Sequence, residues 1–221
     1  MSAQAPARAQ PTVDELFVAA PPVAWARAGF DVTAGACRVG TVTLRLEGEG
    51  ARRGITGWSV RGARSLDLDG LDTAASDGPL PPAAPTHPNG TVSIDHLVVI
   101  TPDLDRTTAV LEDAGFDLRR VREGDTPGGS QRQAFFRMGE LILELVQAPP
   151  GTRIAEDPHG PARLWGISFL VEDMDTPAAA LGELLGTARD AVQPGRRIAT
   201  VAKQAELGTA IAFMTPGRGA V

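Results

Sequence analysis

The sequence predicts an α+β chain of tandem βαβββ units, and three observations carry that prediction. Residues 93–149 divide into one strand, one helix and three further strands. Residues 165–216 repeat this order. Residues 13–46 match the first of these segments in shortened form: Val13-Asp14-Glu15-Leu16 lies over Ile94-Asp95-His96-Leu97, Ala28-Gly29-Phe30-Asp31 over Ala114-Gly115-Phe116-Asp117, and the run from Val39 to Leu46 over that from Met138 to Leu145.

Residues 1–11 are rich in Ala, Gln and Pro and read as a disordered tail. The shortened unit, residues 12–64, opens with a strand at 13–19 and a short helix at 22–28 that stops at Gly29. One or two short strands follow within 30–38, then a cleanly alternating strand at 39–46 and a further one at 55–60. Residues 65–90, rich in Asp, Ala and Pro, read as an exposed linker at the domain boundary.

The central unit spans residues 91–149. Its opening run, Ser93-Ile94-Asp95-His96-Leu97-Val98-Val99-Ile100, is short, β-branched and bounded by Pro88-Asn89-Gly90 and Thr101-Pro102-Asp103, as a strand should be. Asp103 is an N-cap for a helix that buries Leu104, Val110, Leu111 and Ala114 and stops at Gly115. Strands at 116–122 and 131–138 flank the turn-rich stretch from Gly124 to Gly129, a hairpin connection with a lid as the alternative. The run from Met138 to Gln147 closes the unit. After a loop at 150–164 holding His159, the last unit (165–216) has a strand at 165–171, a helix from Thr176-Pro177 to Leu185 ended by Gly186, and strands at 196–202 and 209–215.

Two polar residues interrupt apolar strand faces. Alternation puts His96 with Ile94, Val98 and Ile100, and Glu144 with Ile142 and Val146. A bare carboxylate on such a face costs several kcal/mol unless paired or ligated, so Glu144 requires a partner.

Composition excludes several functions. A net charge of -6 and a pI near 5.1 argue against a nucleic-acid groove, which needs a basic face. The single Cys37 permits neither an intramolecular disulfide nor a cysteine metal knuckle, and reads as a small core residue. No segment has the apolar length of a membrane span or a signal peptide, so a soluble, cytoplasmic protein is expected.

The chain resembles the vicinal oxygen chelate superfamily of glyoxalases, extradiol dioxygenases and bleomycin-resistance proteins. The resemblance rests on residues 94–105, on Gly139 through Glu144, on Gly166-Ile167-Ser168-Phe169-Leu170-Val171-Glu172-Asp173-Met174-Asp175 and on Ile211-Ala212-Phe213-Met214-Thr215-Pro216. It implies that paired units form a curved sheet, a cup, whose active members hold a divalent metal through the first and last strands of each unit. His96 and Glu144 match two such positions. In the last unit Gly166 stands where a His is expected, and the closing strand offers Ala212 or Phe213, depending on the alignment; neither binds metal.

Two functions follow from the resemblance. One is a small-molecule-binding protein with an apolar cup and no intact metal site, as in drug-sequestering relatives. The other is a lyase or dioxygenase whose Zn, Fe, Mn or Ni is held by His96, Glu144 and a third ligand, with His159, His87, Gln204 and Glu206 as candidates. In either case His96 and Glu144 are the candidate catalytic residues. The cup floor includes Val98, Ile100, Ile142, Val146, Ser168, Leu170, Ala210 or Ala212, and Met214. Of the adjacent pair Arg196 and Arg197, one can reach an anionic group of a ligand; Arg197 is taken as the contact. The expected partner is a small molecule, with no nucleic acid or membrane, and a homodimer is compatible with the shortened unit needing a surface to pack on.

Overall fold

A computed structural model describes residues 10–48, 50, 52–126 and 129–217. The expected tail at 1–11 therefore lies almost wholly outside the described residues, as do residues 127–128 at the tip of the expected lid loop. The first sheet contains β1 (Thr12–Ala19), β2 (Ala36–Val39), β3 (Val42–Leu46), β4 (Gly54–Arg61) and β5 (Thr73–Ala75), with helix α1 (Pro22–Arg27) between β1 and β2. Its spatial order is β2-β3-β1-β4-β5.

The second sheet is built from β6 (Thr91–Thr101), helix α2 (Leu104–Asp113), β7 (Asp117–Thr126), β8 (Gly129–Met138) and β9 (Leu141–Gln147), then β10 (Arg163–Val171), helix α3 (Asp175–Leu181), β11 (Arg189–Asp190), β12 (Arg197–Thr200) and β13 (Ala210–Met214). The order β11-β12-β13-β10-β6-β9-β8-β7 is two βαβββ units joined along antiparallel β6 and β10. Each unit closes with its last strand parallel to its first, β9 beside β6 and β13 beside β10.

Local chemistry sets the helix limits. The Asp103 carboxylate accepts the Arg106 N–H at 3.0 Å, and Gly115, at φ +98°, turns the chain out of α2. Helix α3 is shorter than its sequence predicts. Gly182, at φ +56°, ends it, and residues Gly182–Leu184 form a 3₁₀ turn where the helix was expected to continue to Leu185.

Bulges decide which side chains reach which face. Where β6 meets β10, His96 pairs with Ser168 and Ile94 with Phe169, leaving Asp95 as an extra residue; Val98 pairs with Gly166 and Val99 with Leu164, leaving Trp165 extra. The first sheet repeats both irregularities. Glu15 pairs with Ser59 and Val13 with Val60, leaving Asp14 extra, while Phe17 pairs with Gly57 and Val18 with Ile55, leaving Thr56 extra. Strand β4 thus crosses β1 as β10 crosses β6. It opens a further, truncated unit with β5 rather than closing the shortened one, which corrects the expected 12–64 module.

The expected linker at 65–90 is also more structured than its composition suggests. It contributes β5 and buries Leu68, Leu71, His87 and Asn89. His87 accepts the Asp31 N–H through Nδ1 at 3.0 Å, and its Nε2 lies 2.9 Å from the Arg38 carbonyl, so a ring protonated at Nε2 satisfies both contacts. Asp69 pairs with Arg106 at 2.9 Å, tying this segment to α2.

The two sheets bury their apolar faces against each other. Trp25 packs edge-on to Phe169 (6.1 Å), Phe30 lies 5.1 Å from Phe169, and Trp58 meets Phe116 at 6.2 Å. Such aromatic pairs contribute about 0.5–1.5 kcal/mol each beyond their buried area. Cys37 is a buried core residue whose thiol burial pushes up to about 12, far from a nucleophile.

Candidate functional site

The opposite face of the larger sheet is the cup. Leu97, Val99, Leu143, Leu145, Ile167 and Phe169 point into the core, so the alternate residues His96, Val98, Ile142, Glu144, Ser168 and Leu170 share the other face. Val98, Ile142 and Leu170 are half-buried there, and Ser168 and Met214 are buried. The Ser168 hydroxyl, directly across from His96, has no hydrogen-bond partner among the described residues. Ile94 does not join its expected neighbours, because the Asp95 bulge turns it into the core.

The same bulge brings Asp95 to the cup beside His96. Its carboxylate lies 2.8 Å from His96 Nδ1, and its other oxygen accepts from Arg196 Nη2. With Nδ1 protonated, the neutral ring directs its Nε2 lone pair toward Glu144, whose Oε2 is 3.5 Å away. Gln133 donates to Glu144 Oε1 at 2.5 Å, supplying the partner this carboxylate requires. The chain of contacts runs Arg196, Asp95, His96, Glu144, Gln133 across the sheet.

The two carboxylates are tuned in opposite directions. Burial raises Glu144 above the ordinary carboxylate range, with nearby His96 and Arg122 and the Gln133 hydrogen bond only partly offsetting it. Burial also works against ionised Asp95, but the hydrogen bonds from His96 and Arg196 together outweigh it and hold Asp95 below the ordinary range. A proton near neutral pH therefore resides more readily on Glu144 than on Asp95.

Arg197, the expected contact, does not reach this cluster. It bonds the Ala188 carbonyl and faces Asp190 at 3.6 Å, half-exposed. Ala199 lies opposite core residue Phe213, so alternation sends Arg197 to the core side of the sheet edge and leaves Arg196 for the cup. Asp95 left no signal, since a bulge leaves no mark in the sequence, and Gln133 comes beside Glu144 only through the register of β8 on β9. His159 is exposed on a loop whose Pro158 and Gly160 carbonyls bind Arg106 of α2, away from the cup. His87 is buried beside Phe30, and Gln204 and Glu206 line a crevice against α1.

The profile of the Glyoxalase/Bleomycin resistance protein/Dioxygenase superfamily matches residues 93–205, slightly over half the chain. The chain belongs to this superfamily. A search of curated proteins finds no match. Among solved structures, a substituted 4-hydroxymandelate synthase from Streptomyces coelicolor shares 14% identity, with 98% of this chain and 95% of that one covered at a TM-score of 0.62. A fusion of a xylose isomerase-like TIM barrel with 4-hydroxyphenylpyruvate dioxygenase shares 15% identity over 97% of this chain and 51% of its own, at 0.60. Methylmalonyl-CoA epimerase from Mycobacterium tuberculosis shares 19% over 58% and 90%, at 0.46. At these identities the likeness concerns the fold, and the first two span both sheets.

For this glyoxalase-superfamily chain, strand register settles which residues occupy the four positions from which the resemblance draws metal ligands. Ile142 pairs with His96 and Glu144 with Val98 in the first unit; Ala210 pairs with Gly166 and Ala212 with Ser168 in the second. Gly166 therefore answers His96, and Ala212 answers Glu144, which excludes the Phe213 alternative. Neither offers a donor atom. Two side-chain ligands from one unit fall short of the three that divalent-metal sites commonly use.

Proposed function

We propose that this protein binds a compact, partly apolar small molecule in the cup and does so without a metal. The observation that carries this reading is that Gly166 and Ala212 hold in the second unit the places that His96 and Glu144 hold in the first, which leaves those places without a ligand atom. Val98, Ile142, Leu170 and Met214 take the apolar body of the ligand, with Ser168 beside His96. Glu144 and His96 meet its polar group. A few polar groups set in an apolar concavity are the usual arrangement of a small-molecule site.

Glu144 and His96 also supply proton chemistry. Protonated Glu144 donates to a ligand oxygen or to His96 Nε2, and the ionised form accepts a proton back, with Asp95 and Arg196 fixing the imidazole. A single turnover of this kind moves a proton between Glu144 and the ligand and needs no further group. The same residues in a binder orient the ligand without reaction.

The second reading, a metal-dependent lyase or dioxygenase, draws on the proximity of His96 Nε2 and Glu144 Oε2 in one cup. The deciding experiment follows ligand binding by isothermal titration before and after exhaustive chelation. Affinity unchanged by chelator supports the metal-free cup; affinity lost with chelator and restored by one divalent ion supports the second reading.

A further inference from the structure

The wall of the cup built from β7 and β8 is basic. Alternation along β8 sends Ala134, Phe136 and Met138 to the core, so Gln133, Phe135 and Arg137 face the cup. The Gln133 amide fixes this parity by donating to Glu144 at 2.5 Å. Register carries the assignment on to β7, where Arg122 pairs with Gln133 and Arg120 with Phe135.

Side-chain contacts agree for both arginines. The Arg120 guanidinium lies over the Phe135 ring, 4.9 Å from its centre. Arg122 is half-buried with its Nε beside Gly124, and its charge is close enough to Glu144 to favour the ionised carboxylate.

Elsewhere on these two strands the arginines are neutralised. Arg132 turns to the helix side, where Asp105 of α2 lies at 3.0 Å and Glu123 at 2.8 Å. Asp117, across from Arg137, is taken by Arg119 and Gln10. Among the described residues, these ion pairs include neither Arg120 nor Arg122. Arg196 is matched by Asp95, so the cup face of a chain with net charge -6 sets Arg120, Arg122 and Arg137 against Glu144.

We propose that the ligand of the cup is an anion, its carboxylate or phosphate group bound by Arg122 and Arg120 and its apolar body lying on Ile142 and Val98. This deepens, and rests on, the reading of the cup as the binding site. Strand β9 lies two strands from β7, about 10 Å, a span that one compact molecule bridges. Guanidinium forks favour carboxylate or phosphate over neutral groups, and the Phe135 ring holds one of the two forks in place before a ligand arrives, which lowers the ordering cost of binding.

The test uses benzoate and phenyl phosphate as anionic probes, with benzyl alcohol lacking the charge and benzylamine reversing it. Titration calorimetry gives the affinity. The methyl signals of Val98 and Ile142 report occupation of the cup, and the Nε–H signal of Arg122, identified by Arg122→Gln, reports the contact. At least one anionic probe binds and moves both sets of signals, and whichever binds tells carboxylate from phosphate. Arg122→Gln weakens it about tenfold, as does Arg120→Gln, and the neutral and cationic probes bind the parent about tenfold worse. Arg132→Gln removes the same charge from the helix side and changes affinity by no more than about twofold. Anionic and neutral probes moving the methyl signals equally overturns this proposal and leaves the cup as the binding site. So does anion binding that responds to Arg132→Gln as strongly as to Arg122→Gln and Arg120→Gln, in variants whose melting temperature matches the parent. No probe moving the methyl signals at millimolar concentration overturns the cup reading and this proposal with it. Anion binding that depends on both arginines but also needs a divalent ion sinks only the metal-free reading.

Discussion

Glu144 and Ala212 occupy the same place in successive units, each in a closing strand and each two residues beyond the partner of the opening-strand position held by His96 or Gly166. At these two places one half of the cup therefore carries polar chemistry and the other half none. The first sheet shows a third outcome at the corresponding places: Glu15 and Arg45 form an ion pair, with Arg45 Nε donating at 2.7 Å. An exposed pair of this kind closes the position to ligands while adding little stability.

Glu144 is held by a hydrogen-bond donor, and its replacements should separate accordingly. Glu144→Gln keeps an acceptor for Gln133 and leaves the protein folded near its parental stability. Glu144→Leu strands the Gln133 amide and costs about 1–3 kcal/mol in chemical denaturation. A Leu variant as stable as the parent shows that Gln133 does not depend on this carboxylate.

The raised Glu144 gives stability a definite pH dependence. Between the unfolded carboxylate value and its higher folded value, the native state binds more protons than the unfolded state, so the Glu144 contribution falls as pH rises through that window. Asp95 has the opposite sign: its contribution is present above the unfolded value and lost as pH falls through its lowered folded value. The melting temperature of the parent relative to Glu144→Gln should therefore decline from mildly acidic to neutral pH. A difference that is flat or rises with pH contradicts the assigned direction.

Arg196 and Arg197 are adjacent but unequal. Arg196→Gln removes the cation beside half-buried Asp95 and costs about 1–3 kcal/mol, with the His96 ring signals shifting as their orientation loosens. Arg197→Gln, at an exposed pair, changes stability by about 0.5 kcal/mol or less. Equal effects from the two would place them in equivalent surroundings.

The segments of the fold were legible because hydrophobic period, Asp103, Gly115 and the opening strands each leave a local mark. The shared face of Val98, Ile142, Ser168 and Leu170 followed from alternation alone. What alternation cannot show is an extra residue: the bulges at Asp95 and Trp165 are set by pairing between strands about 70 residues apart, and they moved Ile94 off the cup and Asp95 onto it. The same limit hid the place of β4, itself expected as a strand at 55–60, since its position across β1 comes from long-range pairing. The linker misled for another reason, since its Asp and Pro content conceals the few buried residues, Leu68, Leu71, His87 and Asn89, that anchor it.

Packing between the sheets makes the two halves interdependent. Removal of residues 1–90 uncovers Phe169, Phe213 and Phe116, which Trp25, Phe30 and Trp58 cover in the whole chain. The fragment should melt lower and either aggregate or pair with a second copy through that face. A truncated protein as soluble and heat-resistant as the whole chain, with the same subunit count, contradicts an integral first sheet.

The central claim is that the cup operates without a resident metal, and elemental analysis of protein purified without chelator tests it most directly. The account predicts well below one equivalent of Zn, Fe, Mn and Ni together, unchanged by His96→Ala. One equivalent of a divalent metal that disappears on His96→Ala would contradict it and show that His96 and Glu144 have found the third ligand that Gly166 and Ala212 do not provide.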